Sequence, residues 1–393
     1  MSDFDRVLER RNTDSLKYDF AAARGMPEGL IPLWVADMDF SAPEPVREAL
    51  SRAVSHGIFG YTMPRADYYD TVTEWFARRY GYAFRREHIV TTPGIVFALA
   101  MAVRAFTGEG DGVLIQRPVY YPFTEVISDN KRRIINSPLI LNAAGRYETD
   151  FDDFERQIVE NDVRLFLLCS PHNPIGRVWS AAELERVGDI CARHGCVVVS
   201  DEIHCDFTYP GAKHTMFPSI KEGFAKNCVL CTAPSKSFNL AGLQISNIVI
   251  SNSTLRRAFK AEIAKTGYSQ PSLPGVVACK AAYGSGGAWL DELKSYIHGN
   301  LNLLRDFLRE RIPQIKLIEP EGTYLIWLDM REIVKNAADA RRLIVEKAGL
   351  WLDDGTMFGS EGEGFQRINI ACPRSVLREA LENLAAAVNC FIK

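Results

Sequence analysis

Short apolar runs rich in β-branched residues recur along the first two thirds of the chain. Stretches with an apolar residue every three or four positions lie between them. The runs at 88–92, 113–116, 164–169, 196–200, 228–232 and 245–250 predict strands, and the stretches at 95–106, 181–194 and 254–265 predict amphipathic helices. Strand and helix in alternation predict an α/β fold with a mostly parallel central sheet covered by helices on both faces. The last third changes character. A long helix at about 289–311 leads to a strand at 323–329, a helix at 337–348, a strand at 367–371 and a terminal helix, the pattern of a smaller α+β domain. The first forty-odd residues lack the alternation and are assigned to that smaller domain. The expected division is 1–48 joining the small domain, 49–284 as the large domain and 285–393 as the small C-terminal domain.

Length agrees with this, because 393 residues exceed what one core normally serves. Hydrophobic residues make up 47% and charged residues 24%, with a formal net charge of -3. That balance gives no electrostatic case for nucleic acid or an anionic membrane as partner. No apolar run is long enough to cross a bilayer, and the opening residues Met1-Ser2-Asp3-Phe4-Asp5-Arg6 have no signal-peptide character. The nine cysteines are odd in number, and Cys169, Cys196, Cys228 and Cys231 sit inside apolar runs. Reduced, buried thiols and a cytoplasmic location are expected.

Ligands of open α/β sheets sit beyond the carboxyl ends of the strands. Three such segments carry polar clusters: Ser170-Pro-His-Asn173-Pro-Ile-Gly176-Arg177, Ser200-Asp201-Glu-Ile-His204 and Ala233-Pro-Ser235-Lys236-Ser-Phe-Asn239-Leu-Ala-Gly242. An amide, a carboxylate and an amine would then reach one crevice. A lysine amine can form a Schiff base with an aldehyde cofactor. A carboxylate can keep a pyridine nitrogen protonated, so that the ring withdraws electrons, and an amide can donate to a ring oxygen. Taken singly, Lys236 reads as a solvated surface lysine, Asp201 as a turn cap and Asn173 as a turn residue between prolines.

The clusters, together with Trp34-Val-Ala-Asp-Met-Asp39 and Arg367-Ile-Asn-Ile-Ala-Cys-Pro373, stand in an order that resembles the fold-type I pyridoxal-phosphate (PLP) enzymes of the class I/II aminotransferase superfamily. Within that superfamily the chain is most similar to the cystathionine β-lyase-like C–S lyase branch. The resemblance implies a catalytic Lys236 carrying PLP and moving the substrate α-proton, Asp201 on the pyridine nitrogen and Asn173 on the ring O3′. It implies Tyr120 stacked on the ring, with Tyr121 as the competing neighbour, and the phosphate on Gly94 and Ile95 at a helix start, with Ser235 and Thr232 adding hydroxyls. Tyr61 matches a tyrosine lent to the neighbouring subunit's phosphate, which implies a homodimer with shared active sites. Core packing beside Phe59, Tyr68 and Tyr69 is the alternative for Tyr61. Arg367 matches the residue that forks onto the substrate carboxylate, helped by the backbone of Ala36 and Asp37. His204 stands where aminotransferases have a tyrosine, and either tunes the cofactor or is a satisfied buried histidine.

Two departures alter the phosphate grip: Gln244 stands where many aminotransferases have an arginine, and Ala233 where they have a hydroxyl. Cys228-x-x-Cys231 lies within a strand and has no second pair at zinc spacing, so no metal site is expected. Gly108-Glu-Gly-Asp-Gly112 and Gly284-Ser-Gly-Gly287 lack the strand–turn–helix setting of a dinucleotide site. Asp-Glu-Ile-His, Gln244 and Phe358-Gly-Ser-Glu-Gly-Glu-Gly364 favour a β-lyase acting on an amino-acid substrate such as cystathionine or another cysteine S-conjugate. An aminotransferase using the same site, and a PLP-binding regulatory protein, remain as alternatives.

Overall fold

The structure, a computed structural model, describes residues 3–391. Met1 and Ser2 of the opening segment, and the outermost ends of the expected division (1–2 and 392–393), lie outside the described residues. The chain begins with an irregular segment and two helices, α1 (Glu44–His56) and α2 (Ala66–Tyr80). A seven-stranded sheet follows, made of β1 (Ile89–Thr92), β2 (Gly112–Ile115), β3 (Arg133–Asn136), β4 (Leu165–Cys169), β5 (Val197–Asp201), β6 (Cys228–Thr232) and β7 (Ser246–Val249). Its order is β1-β7-β6-β5-β4-β2-β3. All neighbours run parallel except β7, which is antiparallel to both β1 and β6. All five residues of β4 and of β6 are buried. That continuous burial is the mark of strands covered on both faces.

Helices α3 (Ile95–Phe106) and α4 (Ala181–Arg193) and the short turn α5 (Pro234–Ser237) lie between these strands, α6 (Ser253–Lys265) follows β7, and α7 (Leu273–Ser285) packs on α1 and α2. A capping box at Ser180 and Glu183 starts α4, and the Asn252 side chain caps α6. The long helix α8 (Gly287–Arg311) leads into an antiparallel sheet of β8 (Lys316–Leu317), β9 (Leu325–Asp329), β10 (Asp353–Asp354) and β11 (Phe365–Asn369), in the order β8-β9-β11-β10. The final helix is α9 (Arg374–Phe391). Near the N-terminus, Ile31–Pro32 pairs in parallel with Leu350–Trp351.

The expected helix at 337–348 is a short α-helix, Ala337–Arg341, continued as a π-helix over Arg342–Lys347. Leu343, Ile344 and Val345 are all buried. The wider turn brings successive side chains closer in angle, so three in a row can face the core. Strand β3 and helices α1, α2 and α7 are additions to the expected series. The edge strand β3 is half exposed and begins with arginine, and Pro274 and Gly275 interrupt the start of α7.

Candidate active site

The carboxyl ends of β1, β4, β5 and β6 and the start of β7 lie along one edge of the large sheet, around a cavity of about 340 Å³. Asp201 ends β5 and is 4% exposed. Asn173 follows β4 in a loop that Gly176 makes possible. Gly176 has φ +70°, and a Cβ there would sit 2.7 Å from the Pro320 side chain. The Gly176 carbonyl accepts the N–H groups of Glu321 and Gly322, at 2.8 and 2.9 Å, which fastens the loop to the chain just before β9. Lys236 lies on α5, directly after β6.

Lys236, Asp201, Asn173, His204 and Ser235 all line the cavity. So do Tyr120, Gly94, Ile95 and Ala36. Thr232 does not. It is one position beyond Cys231, whose Cα pairs with Asp201, so its side chain takes the other face and its hydroxyl donates to the Asn247 carbonyl at 2.8 Å. The expected Thr232 hydroxyl at the phosphate is therefore corrected. Tyr61 is also absent from this cavity. At 98% exposed it has no packing role within the protomer, which removes the core alternative.

Burial decides the charge states. The Lys236 amine is depressed to about 8, chiefly by desolvation; Asp37 and Asp201 oppose the shift and Arg367 adds to it. Its Nζ donates to the Ala36 carbonyl at 2.7 Å. Desolvation also raises Asp201 to about 7, against a hydrogen bond from the Ile203 N–H and the charge of Lys236. The Ile203 bond, 3.2 Å to Oδ1, is the only hydrogen bond Asp201's side chain receives among the described residues. His204 falls to about 3, again mainly through burial, so its ring is neutral near pH 7, and its Nδ1 has no partner. Beside Asp201, Glu202 is fully buried, accepts from Ser200 and the Phe217 N–H, and lies 2.6 Å from His214 Nε2.

Arg367 is 2% exposed and adjoins the cavity through Asn173, whose Oδ1 accepts from Nη1 at 2.9 Å. Its Nη2 donates to the Trp34 carbonyl at 2.9 Å and to the Asp353 carboxylate, while Nε has no partner. The guanidinium also lies 4.8 Å over the Phe358 ring. The segment around Ala36 is gripped from two sides. Asn369 Nδ2 donates to the Val35 and Asp37 carbonyls at 2.7 and 2.9 Å, and Asn239 bonds the backbone of Met38 and Phe40. The Asp37 carboxylate faces away, forked by Arg10. Asp353, Ser246 and the His214 partner of Glu202 are additions that sequence reasoning missed, whereas Glu202, Asn239 and Asn369 stood inside quoted motifs without an assigned role. Asn239 has a left-handed φ of 57°, which asparagine tolerates.

The donor set suits a phosphorylated, nitrogen-containing aromatic aldehyde. The amine can bind the aldehyde, and the under-bonded Asp201 carboxylate calls for a cationic N–H donor. The side chain of Tyr120 offers an aromatic wall. Helix α3 begins at the cavity with no side-chain cap on its first N–H groups, the arrangement that receives a phosphate.

A seven-stranded, mostly parallel sheet with a lysine, an aspartate and an asparagine at its carboxyl edge defines a fold-type I PLP-enzyme architecture. The family model for aminotransferase class I and II matches residues 28–384, and the chain belongs to that family. It is 43% identical over 386 residues to cystathionine beta-lyase PatB of Bacillus subtilis, covering 98% of this chain and 100% of that one. Protein MalY of Escherichia coli is 33% identical over 390 residues, with 99% of each chain covered. The crystal structure of cystalysin from Treponema denticola, which contains pyridoxal 5'-phosphate, matches with a TM-score of 0.96 at 38% identity over 100% of both chains.

Proposed function

We propose that the protein is a PLP-dependent C–S β-lyase that converts cystathionine or a related cysteine S-conjugate, with water, to a thiol, pyruvate and ammonia. The observation that carries this reading is the convergence of Lys236, Asp201 and Asn173 on one cavity, in a chain of the same family as PatB. When bound, the cofactor supplies an electron sink that stabilises negative charge at the substrate α-carbon. Lys236 would hold the cofactor covalently, and its amine would take the substrate α-proton at Nζ. A pKa depressed to about 8 suits that work near neutral pH. Asp201 would pair with the ring nitrogen and Asn173 would donate to the ring oxygen. Tyr120 would cover one face of the ring. Arg367 orients the substrate carboxylate with its unused Nε–H and the Nη groups now on Asn173 and Trp34, and the Ala36–Asp37 backbone lies alongside. Gly94, Ile95 and Ser235 would receive the phosphate. His204, neutral near pH 7, lines the same cavity. The C–S bond breaks as the electron pair at the α-carbon forms the Cα–Cβ double bond, and the thiolate leaves from Cβ with the sulfur electrons.

The same reading includes a homodimer with shared active sites. Ile58, Phe59, Tyr61 and Met63 are 66%, 64%, 98% and 76% exposed, an apolar stretch suited to cover by a second copy, whose cavity Tyr61 would then reach. It also takes residues 1–48 with 285–393 as the small domain and 49–284 as the large one, supported by the pairing of Ile31–Pro32 with Leu350–Trp351. A cytoplasmic location fits the nine unpaired cysteines. No helix among the described residues is long and apolar enough to cross a membrane.

The deciding assay mixes the PLP-loaded protein with L-cystathionine and measures pyruvate, ammonia and free thiol, alongside glutamate formed from 2-oxoglutarate. Stoichiometric pyruvate and thiol are expected. Multiple-turnover transamination without β-elimination from any cysteine conjugate would replace this reading with an aminotransferase.

A further inference from the structure

Lys236 rides on a single helical turn of four residues, Pro234–Ser237. One turn cannot hold its own geometry, because it closes too few backbone bonds for the dihedrals it fixes. Its external anchors therefore decide where the amine points. The next residue, Ser237, is fully buried, and its hydroxyl donates to Oδ2 of Asp206 in a short hydrogen bond. The other carboxylate oxygen of Asp206 accepts from the Tyr80 hydroxyl at 2.5 Å. Asp206 is itself 6% exposed. Among the described residues no cation hydrogen-bonds to it; the nearby Arg79 is engaged by Asp291 and the Gly287 carbonyl.

A buried carboxylate satisfied by two neutral hydroxyls is costly to keep where a smaller neutral group would fill the space. Its position explains the expense. Asp206 lies five residues after Asp201 and two after His204, on the segment whose Phe207 N–H is fixed to the His204 carbonyl at 3.0 Å. Tyr80 is the last residue of α2, the helix that follows the exposed Tyr61 stretch. One side chain thus ties the segment bearing Asp201 and His204, the turn bearing Lys236 and the helix leading back to Tyr61.

We infer that Asp206 is a positioning residue, which through Ser237 Oγ holds the Lys236 turn in register with Asp201. The inference rests on the proposed role of Lys236. Asp206 is not among the main charges acting on the Lys236 amine, so it works by geometry. A displacement of about 1 Å at a reacting group can cost on the order of a hundredfold in rate.

The test compares Ser237→Ala, Asp206→Asn and Ser237→Thr with the unaltered protein, all PLP-loaded. Three quantities are read: kcat and KM for β-elimination, the visible circular dichroism of the bound cofactor, and the rate at which the cofactor-free protein takes PLP onto Lys236. The last is trapped with borohydride and located by peptide mapping. Ser237→Ala and Asp206→Asn are expected to lower kcat by about ten- to a hundredfold with KM within about threefold. They should also change the dichroism and slow the labelling of Lys236, and Ser237→Thr, which keeps the hydroxyl, should restore all three. Variants that lose only thermal stability, with the three readouts at the unaltered values, would overturn the inference, as would failure of Ser237→Thr to restore them. Ser237→Ala removes a single oxygen, so it carries the test by itself if Asp206→Asn does not fold. An unaltered protein that takes no label at Lys236 overturns the cofactor reading instead, and that outcome is seen before any variant is made.

Discussion

Arg367 and Asp353 are directly opposed across β11 and β10 and form an ion pair in which each side chain is 2% exposed. Desolvation raises the Asp353 carboxyl, and the guanidinium beside it works the other way. Removing one partner from such a pair leaves a buried charge uncompensated, at about 3–5 kcal/mol. Arg367→Ala is therefore expected to lower both the thermal midpoint and kcat/KM while leaving the cofactor's colour. The double variant Arg367→Ala/Asp353→Asn should regain most of the stability and none of the amino-acid affinity. Thermal unfolding together with titration by a slowly reacting amino acid separates the effects. Equal midpoints for single and double variants would argue against the pair as the source of the loss.

The depressed Lys236 amine makes PLP uptake pH-dependent. Only a neutral amine attacks an aldehyde, and below its pKa that fraction grows about tenfold per pH unit. With the folded value at about 8, uptake by the cofactor-free protein should climb with pH up to about 8 and level off above it. A rate still climbing at about pH 10 would indicate an ordinary exposed lysine.

Lys236 and Asp201, both shifted by desolvation, set opposite stability trends in the cofactor-free protein. Between about 8 and 10.5 Lys236 is neutral when folded and protonated when unfolded, so stability rises with pH across that window. Between 3.8 and about 7 Asp201 is protonated when folded and ionised when unfolded, so its contribution falls as pH rises. Comparing denaturant midpoints of the unaltered protein with Lys236→Ala and Asp201→Asn across these ranges checks each sign. Each trend should vanish in its own variant.

If Lys236 has the proposed role, Lys236→Ala should lose at least about a thousandfold in kcat, because the covalent link and the base for the α-proton would go together. Borohydride labelling of the unaltered protein should map to Lys236. A label on another lysine would remove the basis of the proposed chemistry.

If Tyr61 serves the partner's site, mixed dimers can repair two inactive proteins. Lys236→Ala and Tyr61→Ala chains, each weak alone, should regain roughly a quarter of full activity when unfolded and refolded together, since half the dimers are mixed and half their sites intact. No recovery, or full activity in a monomer, would rule out the shared site.

Much of the molecule was legible from local pattern. Continuous apolar runs located β1, β2, β4, β5, β6 and β7, and helical spacing located α3, α4 and α6, to within about two residues. Burial on both faces and capping leave marks in the immediate neighbours. The order of the short polar clusters likewise pointed to Lys236, Asp201 and Asn173, because each stands at or just beyond the end of its strand and strand ends gather at one edge of a parallel sheet.

Other features have no local signature. Strand β7 runs antiparallel between β1 and β6, a direction that its residues alone do not encode. Thr232 looked equivalent to Ser235 in the chain, but pleating and the pairing with Asn247 turned it away from the cavity. Asp206 reads as one more acid in the sequence; its meaning comes from Tyr80 and Ser237, which lie 126 and 31 positions away. By itself the sequence determined most strands and helices of the large sheet and the polar groups at their ends, since these follow from neighbouring residues. Which buried charges are paired, and which side chains face the cavity, was decided by tertiary structure, because both depend on partners brought together only when the sheet closes and water is removed.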